Sequence, residues 1–101
     1  MHPDALDFDA APGRLTLAGD IEAHHDADLL DSISQASGGH ERDVFIDLSA
    51  VTFLPSSIVG TLLRARALAA RNGAAVTLAA RAETVPKRVL EVCGVPHEVV
   101  R

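Results

Sequence analysis

Asp47-Leu-Ser-Ala-Val-Thr-Phe-Leu-Pro-Ser-Ser-Ile-Val-Gly60 is the stretch on which the reading of this chain turns. An apolar, β-rich run, Val44-Phe45-Ile46, leads into it, and two adjacent hydroxyls, Ser56 and Ser57, then open a long amphipathic segment. Backbone N–H groups at a helix start lack intrahelical partners, and the helix dipole is positive there. Hydroxyls in that setting suit an N-cap or first-turn residue. They suit a phosphorylated serine equally, because a dianionic phosphate is stabilised at the same place.

Downstream, the spacing predicts a helix over 56–72. Ile58, Leu62, Ala65 and Ala69 share a face that Val59, Leu63, Ala67 and Ala70 broaden, with Arg64 and Arg71 opposite. Asn72-Gly73 is a stop, and Ala74 to Ala79 reads as a buried strand around Val76 and Leu78. A further helix is expected near Thr84 to Cys93, with Val85, Val89, Val92 and Cys93 inward and Lys87, Arg88 and Glu91 outward. Gly94 ends it, and Pro96 to Val100 is a closing strand. Cys93, flanked by apolar residues, reads as a small core residue and not a reactive thiol.

Upstream, Val44, Phe45, Ile46 and Leu48 form a nearly continuous apolar strand, the pattern of an interior strand covered on both faces. Before it, Ala27, Leu30, Ile33 and Ser34 or Ala36 recur at helical spacing, with Leu29 widening the face. Asp26, Asp28 and Asp31 favour the N-terminal half, and Gly38-Gly39 is the stop. Ala5 to Asp9 and Arg14 to Ala18 alternate as short strands around Ala11-Pro12-Gly13, which makes an antiparallel hairpin, and Gly19 ends the second strand. The expected order is β-β-α-β-α-β-α-β: an α/β fold in which a mixed sheet carries packed helices, its two later βαβ steps as right-handed parallel crossovers.

Bulk properties narrow the function. The 101 residues suit a single domain, 1–101, with one core. The net charge of −5 argues against a nucleic-acid role, and 3% aromatics without Trp or Tyr leave few stacking platforms for single strands. One cysteine cannot form an internal disulfide, which fits a reducing cytoplasm. No stretch approaches the ~20 apolar residues of a membrane span, and Met-His-Pro-Asp is not a charged-then-apolar leader, so neither membrane insertion nor secretion is expected.

Order and motif together resemble the STAS domain, the fold of bacterial anti-sigma factor antagonists, over nearly the whole chain. Leu15-Thr-Leu-Ala-Gly-Asp-Ile-Glu22 is similar to that family's strand followed by Gly-Glu-Leu-Asp. The stretch Asp47–Gly60 resembles its Asp-Leu-Ser-x-Val-x-Phe-x-Asp-Ser-Ser-Gly-Leu-Gly signature, and Val89-Leu-Glu-Val-Cys-Gly-Val95 its third helix and glycine stop. The resemblance implies a protein-interaction module and not an enzyme. It implies that an anti-sigma factor, itself an ATP-dependent serine kinase, phosphorylates Ser56, with Ser57 as the fallback acceptor, and that the unphosphorylated form binds this kinase and frees the sigma factor. The partner surface it implies comprises Asp20, Glu22, Pro55, Ser56, Ser57, Val59 and Arg64. Two positions depart from the signature. Pro55 replaces the acid before the serine, pre-setting φ near −65° but removing a carboxylate that a kinase could read. Ile58 replaces the glycine after the serines, which predicts hindered approach by a partner.

Other readings stay beside this one. The same fold without a switch is a fixed subunit of a larger assembly, such as the STAS partner of an ABC-type lipid transporter or a regulatory scaffold. Asp20 and Glu22 are either solvated loop carboxylates, a repulsive flank for phosphate, or a contact for a basic partner patch. Arg64, Arg66 and Arg71 are a solvated helix face or a docking edge for an acidic partner. A nucleotide binder would use the helix N-terminus as an anion site, but no Gly-rich phosphate loop supports it. A hydrolase would need His24 or His25 as base for Ser56 or Ser57, without a Gly-x-Ser-x-Gly elbow. His24-His25-Asp26 with Asp28 invites a metal reading. Adjacent histidines on a strand point to opposite faces, however, the i, i+4 spacing of a ligand pair is absent, and His40 and His97 lie far away in sequence, so satisfied loop or helix-start histidines are expected, with no metal or cofactor.

Overall fold

The computed structural model describes residues 6–101. Five strands form one sheet in the order β1-β2-β3-β4-β5: β1 Asp7–Ala11, β2 Arg14–Asp20, β3 Val44–Phe53, β4 Val76–Arg81 and β5 Glu98–Val100. Three helices connect them, α1 Asp26–Ala36, α2 Ser56–Arg71 and α3 Val85–Val92, and a single 3-10 turn, Ala23–His25, precedes α1. Only β1 is antiparallel to its neighbour. Every later pairing is parallel, so β2-α1-β3 is a third βαβ step beside the two expected.

The hairpin closes through Pro12 and Gly13, with Ala11 opposite Arg14. Gly13 takes φ +79°, a left-handed value that a side chain would strain, and its amide donates to the Ala36 carbonyl at 2.8 Å while its carbonyl accepts from Phe45 at 2.9 Å. This turn therefore pins the end of α1 and the start of β3 to the hairpin. The expected first strand begins two residues early; Ala5 lies outside the described residues. Gly19 does not end β2 but sits within it at φ +95°, beside a register shift.

The helices bury their apolar stripes in one cluster with Leu15, Leu17, Val44, Ile46, Leu48 and Leu78. Coverage of β3 on both faces is therefore not what the apolar run encodes. Its other face carries half-buried Phe45 and Asp47. Phe45 is covered by the Arg14 guanidinium, 4.9 Å from the ring centroid, and Arg14 Nη2 donates to Asp47 Oδ2 at 2.9 Å. A cation–π contact replaces the second layer. Between the pairs Thr16–Asp47 and Ala18–Ala50 the strand β3 carries one extra residue, a β-bulge held by the Ser49 amide donating to Asp47 Oδ1 at 2.9 Å. The bulge moves the inward parity from Leu48 to Val51.

Helix faces also differ in detail. Leu29, Ile33 and Ala36 bury the inner face of α1, while Ala27 is exposed. On α2 the buried set is Ile58, Val59, Thr61, Leu62, Ala65 and Ala69, so Leu63, Ala67 and Ala70 face outward. On α3, Pro86 and Leu90 are inward, while Val85 and Cys93 are exposed and Val92 is 82% exposed. Cys93 is thus not a core residue. The short helix is set by Thr84, whose hydroxyl caps the Lys87 amide, and by Pro86 in the first turn. That start rotates the inward stripe onto positions 86 and 90.

Candidate functional site

Parallel pairing of β2 with β3 brings the C-terminal ends of both strands together, the place where α/β sheets expose their connecting loops. Asp20 lies opposite Phe53, and the Ile21 amide donates to the Phe53 carbonyl at 3.1 Å. Ile21 is fully buried and anchors the loop, so Asp20 and Glu22 on either side of it stand at the surface. Thr52 Oγ1 donates to Asp20 Oδ1, which holds that carboxylate against β3. The 3-10 turn that follows Glu22 packs against α2.

From Phe53 the chain turns through buried Leu54 into Pro55, the N-cap of α2. Pro55 has φ −69° and ψ 149°, the value its ring enforces with an extended exit. Ser56 is therefore the first helical residue, not the cap, and no side chain caps this helix start. The Ile58 amide is held by the Pro55 carbonyl at 3.0 Å. Ser56 and Ser57 are both exposed, with their hydroxyls at the positive end of a 16-residue helix. The arrangement suits recognition or modification of a hydroxyl by an incoming partner.

Ile58 is 0% exposed and points into the core. It does not shield the helix start, contrary to what its β-branched side chain suggested from sequence. Val59, expected on the partner surface, is 2% exposed and also belongs to the core. The outward surface beyond the serines is made instead by Gly60, Leu63 and Arg64, with Phe53 49% exposed at the end of β3. Phe53 and Leu63 are the apolar surface residues that sequence reading missed. For Leu63 the signal was present, since it lies seven residues after Ser56 and three after Gly60, on their exposed face of the helix.

Arg64 is exposed, eight residues beyond Ser56, or about 12 Å along the helix axis. Arg66 is turned away, with Nη2 donating to the Pro96 carbonyl at 3.2 Å, and Arg71 closes the far end of the helix. The arginines are thus not one docking edge.

The turn beside the helix start holds Glu22, His24 and His25. The Glu22 amide donates to His25 Nδ1 at 2.9 Å, and His24 Nδ1 lies 3.4 Å from Glu22 Oε2. Both imidazoles are engaged within this turn, and among the described residues no bond joins either to Ser56 or Ser57, so the base a hydrolase needs is not assembled. The two rings do not point to opposite faces. Their centroids are 4.2 Å apart, because successive side chains on a 3-10 turn diverge by ~120° and not by the 180° of a strand.

One group away from this surface has a displaced acidity. Burial pushes the Asp47 carboxyl up, but the hydrogen bonds from Ser49 and the charge and hydrogen bond of Arg14 outweigh it and hold the group below its ordinary value of 3.8. Its role is structural, at the bulge. No helix among the described residues is long and apolar enough to cross a membrane.

Solved structures share this architecture. An anti-sigma factor antagonist from Mycobacterium paratuberculosis superposes with TM-score 0.72 at 21% identity, covering 96% of this chain and 88% of that one. A Thermotoga maritima protein proposed to be an anti-sigma factor antagonist gives 0.61 at 15% identity, over 95% and 86% of the two chains. The STAS domain of an antisigma-factor antagonist from Rhodobacter sphaeroides gives 0.51 at 20% identity, over 73% and 83%. No curated protein matches the chain. The family described as Mlab, STAS domain, matches residues 5–101, and the chain belongs to the STAS domain family.

Proposed function

We propose that this protein is an anti-sigma factor antagonist: a binding module that docks an anti-sigma factor on the Ser56 end of α2. The observation that carries the proposal is the exposed, uncapped Ser56 at the first position of α2, beside the loop of Asp20 and Glu22. The three structural neighbours described above support the same role. The partner is a serine kinase of the ATPase type, and it phosphorylates Ser56. A phosphate adds about −1.5 to −2 charges beside the two loop carboxylates. The helix dipole tolerates it, and a docking surface that already carries two carboxylates becomes more strongly anionic. An acidic partner surface is then repelled.

A second reading is favoured by Pro55, which stands where a carboxylate would precede the serine. In it the same face holds a permanent partner, such as a transporter ATPase subunit, and no phosphate arrives. Affinity capture of the wild type and of Ser56→Glu from the native cell, with mass spectrometry of the recovered proteins, separates the two. Recovery of an ATPase-type kinase with the wild type alone supports the switch. Recovery of the same subunits with both forms sinks it.

A further inference from the structure

Glu22, which the docking reading also uses, forms a cluster with His24 and His25, which that reading leaves without a role. One ligand atom from each lies within 4.8 Å of the others, on a turn whose histidine rings are 4.2 Å apart. We propose that this turn is a binding site for a divalent transition-metal ion of the zinc, nickel or copper class. Two imidazoles and one carboxylate match the donor preference of those ions, whereas magnesium and calcium prefer all-oxygen sets. Tetrahedral or square-planar coordination brings donor atoms to roughly 3 Å from one another at metal–nitrogen distances of about 2 Å. His24 Nδ1 is already 3.4 Å from Glu22 Oε2, and the set as a whole, within 4.8 Å, contracts by side-chain rotation to that spacing. Both side chains are mostly exposed, at 71% and 63%, so ion entry and ring rotation are unobstructed. Three protein donors leave at least one coordination position to water, as in open zinc sites.

The turn itself supplies a signature. In the structure His25 Nδ1 accepts the Glu22 amide, which places the ring proton on Nε2 and the lone pair on Nδ1. A bound ion takes that lone pair, and the Glu22 amide loses its partner. No proton is transferred; one acceptor is exchanged for one metal bond.

The test uses the full 101-residue chain without any affinity tag. Calorimetric titration with zinc chloride at neutral pH is expected to show one saturable site per chain in the micromolar range. His24→Ala and Glu22→Gln, neither of which touches the core, are each expected to weaken it by about tenfold or more. Amide NMR of the wild type is expected to show the Glu22 resonance moving with zinc and not with magnesium. Absence of saturable binding overturns the proposal. So does binding that His24→Ala leaves unchanged, or a Glu22 amide that does not respond. His25→Ala is the weaker variant, because it also removes the acceptor that closes the turn.

Discussion

Ile58 separates two accounts of this surface. If its side chain stood over the helix start, truncation would relieve a partner and cost the fold little. The structure places it at 0% exposure within the cluster that includes Leu54, Leu62 and Leu78. Ile58→Ala removes three buried carbons, about 2.4 kcal/mol at ~0.8 kcal/mol each, before the cavity left behind adds its own cost. The gain in helix propensity returns only about 0.4 kcal/mol. The net expectation is a loss of about 3 kcal/mol, a large part of a total of roughly 5–15 kcal/mol. For a domain of this size that lowers the melting temperature by about 12–24 °C. Urea unfolding followed by far-UV circular dichroism is the suitable assay, since the chain has no Trp or Tyr for fluorescence. The midpoint should fall with an unchanged slope. A loss below about 1 kcal/mol would refute the inward placement, as would tighter partner binding by the folded variant.

Two further substitutions probe the same framework. Gly60 lies on the outward face of α2, and a Cβ there would meet nothing within 4 Å. Gly60→Ala should therefore stabilise the domain by about 0.5–1 kcal/mol in a thermal melt; a loss would show that this face is covered. Asp47 is depressed below 3.8 in the folded state, so its contribution is fully present above about pH 3.8 and is lost as the pH falls through the folded value. Urea midpoints measured across that window should fall less steeply for Asp47→Asn than for the wild type, and that variant should be weaker by about 1 kcal/mol at neutral pH. Identical acid profiles would count against the Arg14–Asp47–Ser49 arrangement.

The legible parts of this fold are those where local chemistry and tertiary packing agree. Pro12-Gly13 between alternating strands encodes a hairpin, and Pro-Ser-Ser after an apolar run encodes the start of α2, placed by the sequence at the residue where the structure has it. The order of elements along the chain followed from the same punctuation. The misread parts depend on partners distant in sequence. Phe45 reads as buried until Arg14, from the neighbouring strand, is seen to lie over it. Val85, Val89, Val92 and Cys93 make a plausible stripe on α3, yet eight residues cannot fix a helix rotation, and Pro86 with Leu90 won the core. At the site, Asp20, Glu22, Pro55, Ser56 and Ser57 are brought to one end of the sheet by a register that no local pattern encodes. Ile58 and Val59 already belong to the apolar face that the spacing predicts for α2, and the structure buries both; placing them at the partner surface went against that periodicity. The histidine pair stands on the 3-10 turn that opens α1, as expected for loop or helix-start residues; only the divergence of the two rings, argued as for a strand, differs.

The central claim is that Ser56 is the residue whose charge decides partner binding. The most direct measurement is to incubate the purified protein with the kinase-type partner captured from its own cells and ATP. The site of phosphate is then mapped by mass spectrometry, and the remaining complex is quantified by size-exclusion chromatography. The account predicts a single phosphate on Ser56, absent in Ser56→Ala, with dissociation of the wild-type complex only. Phosphate on Ser57, no phosphate at all, or a complex that survives modification of Ser56 would contradict it.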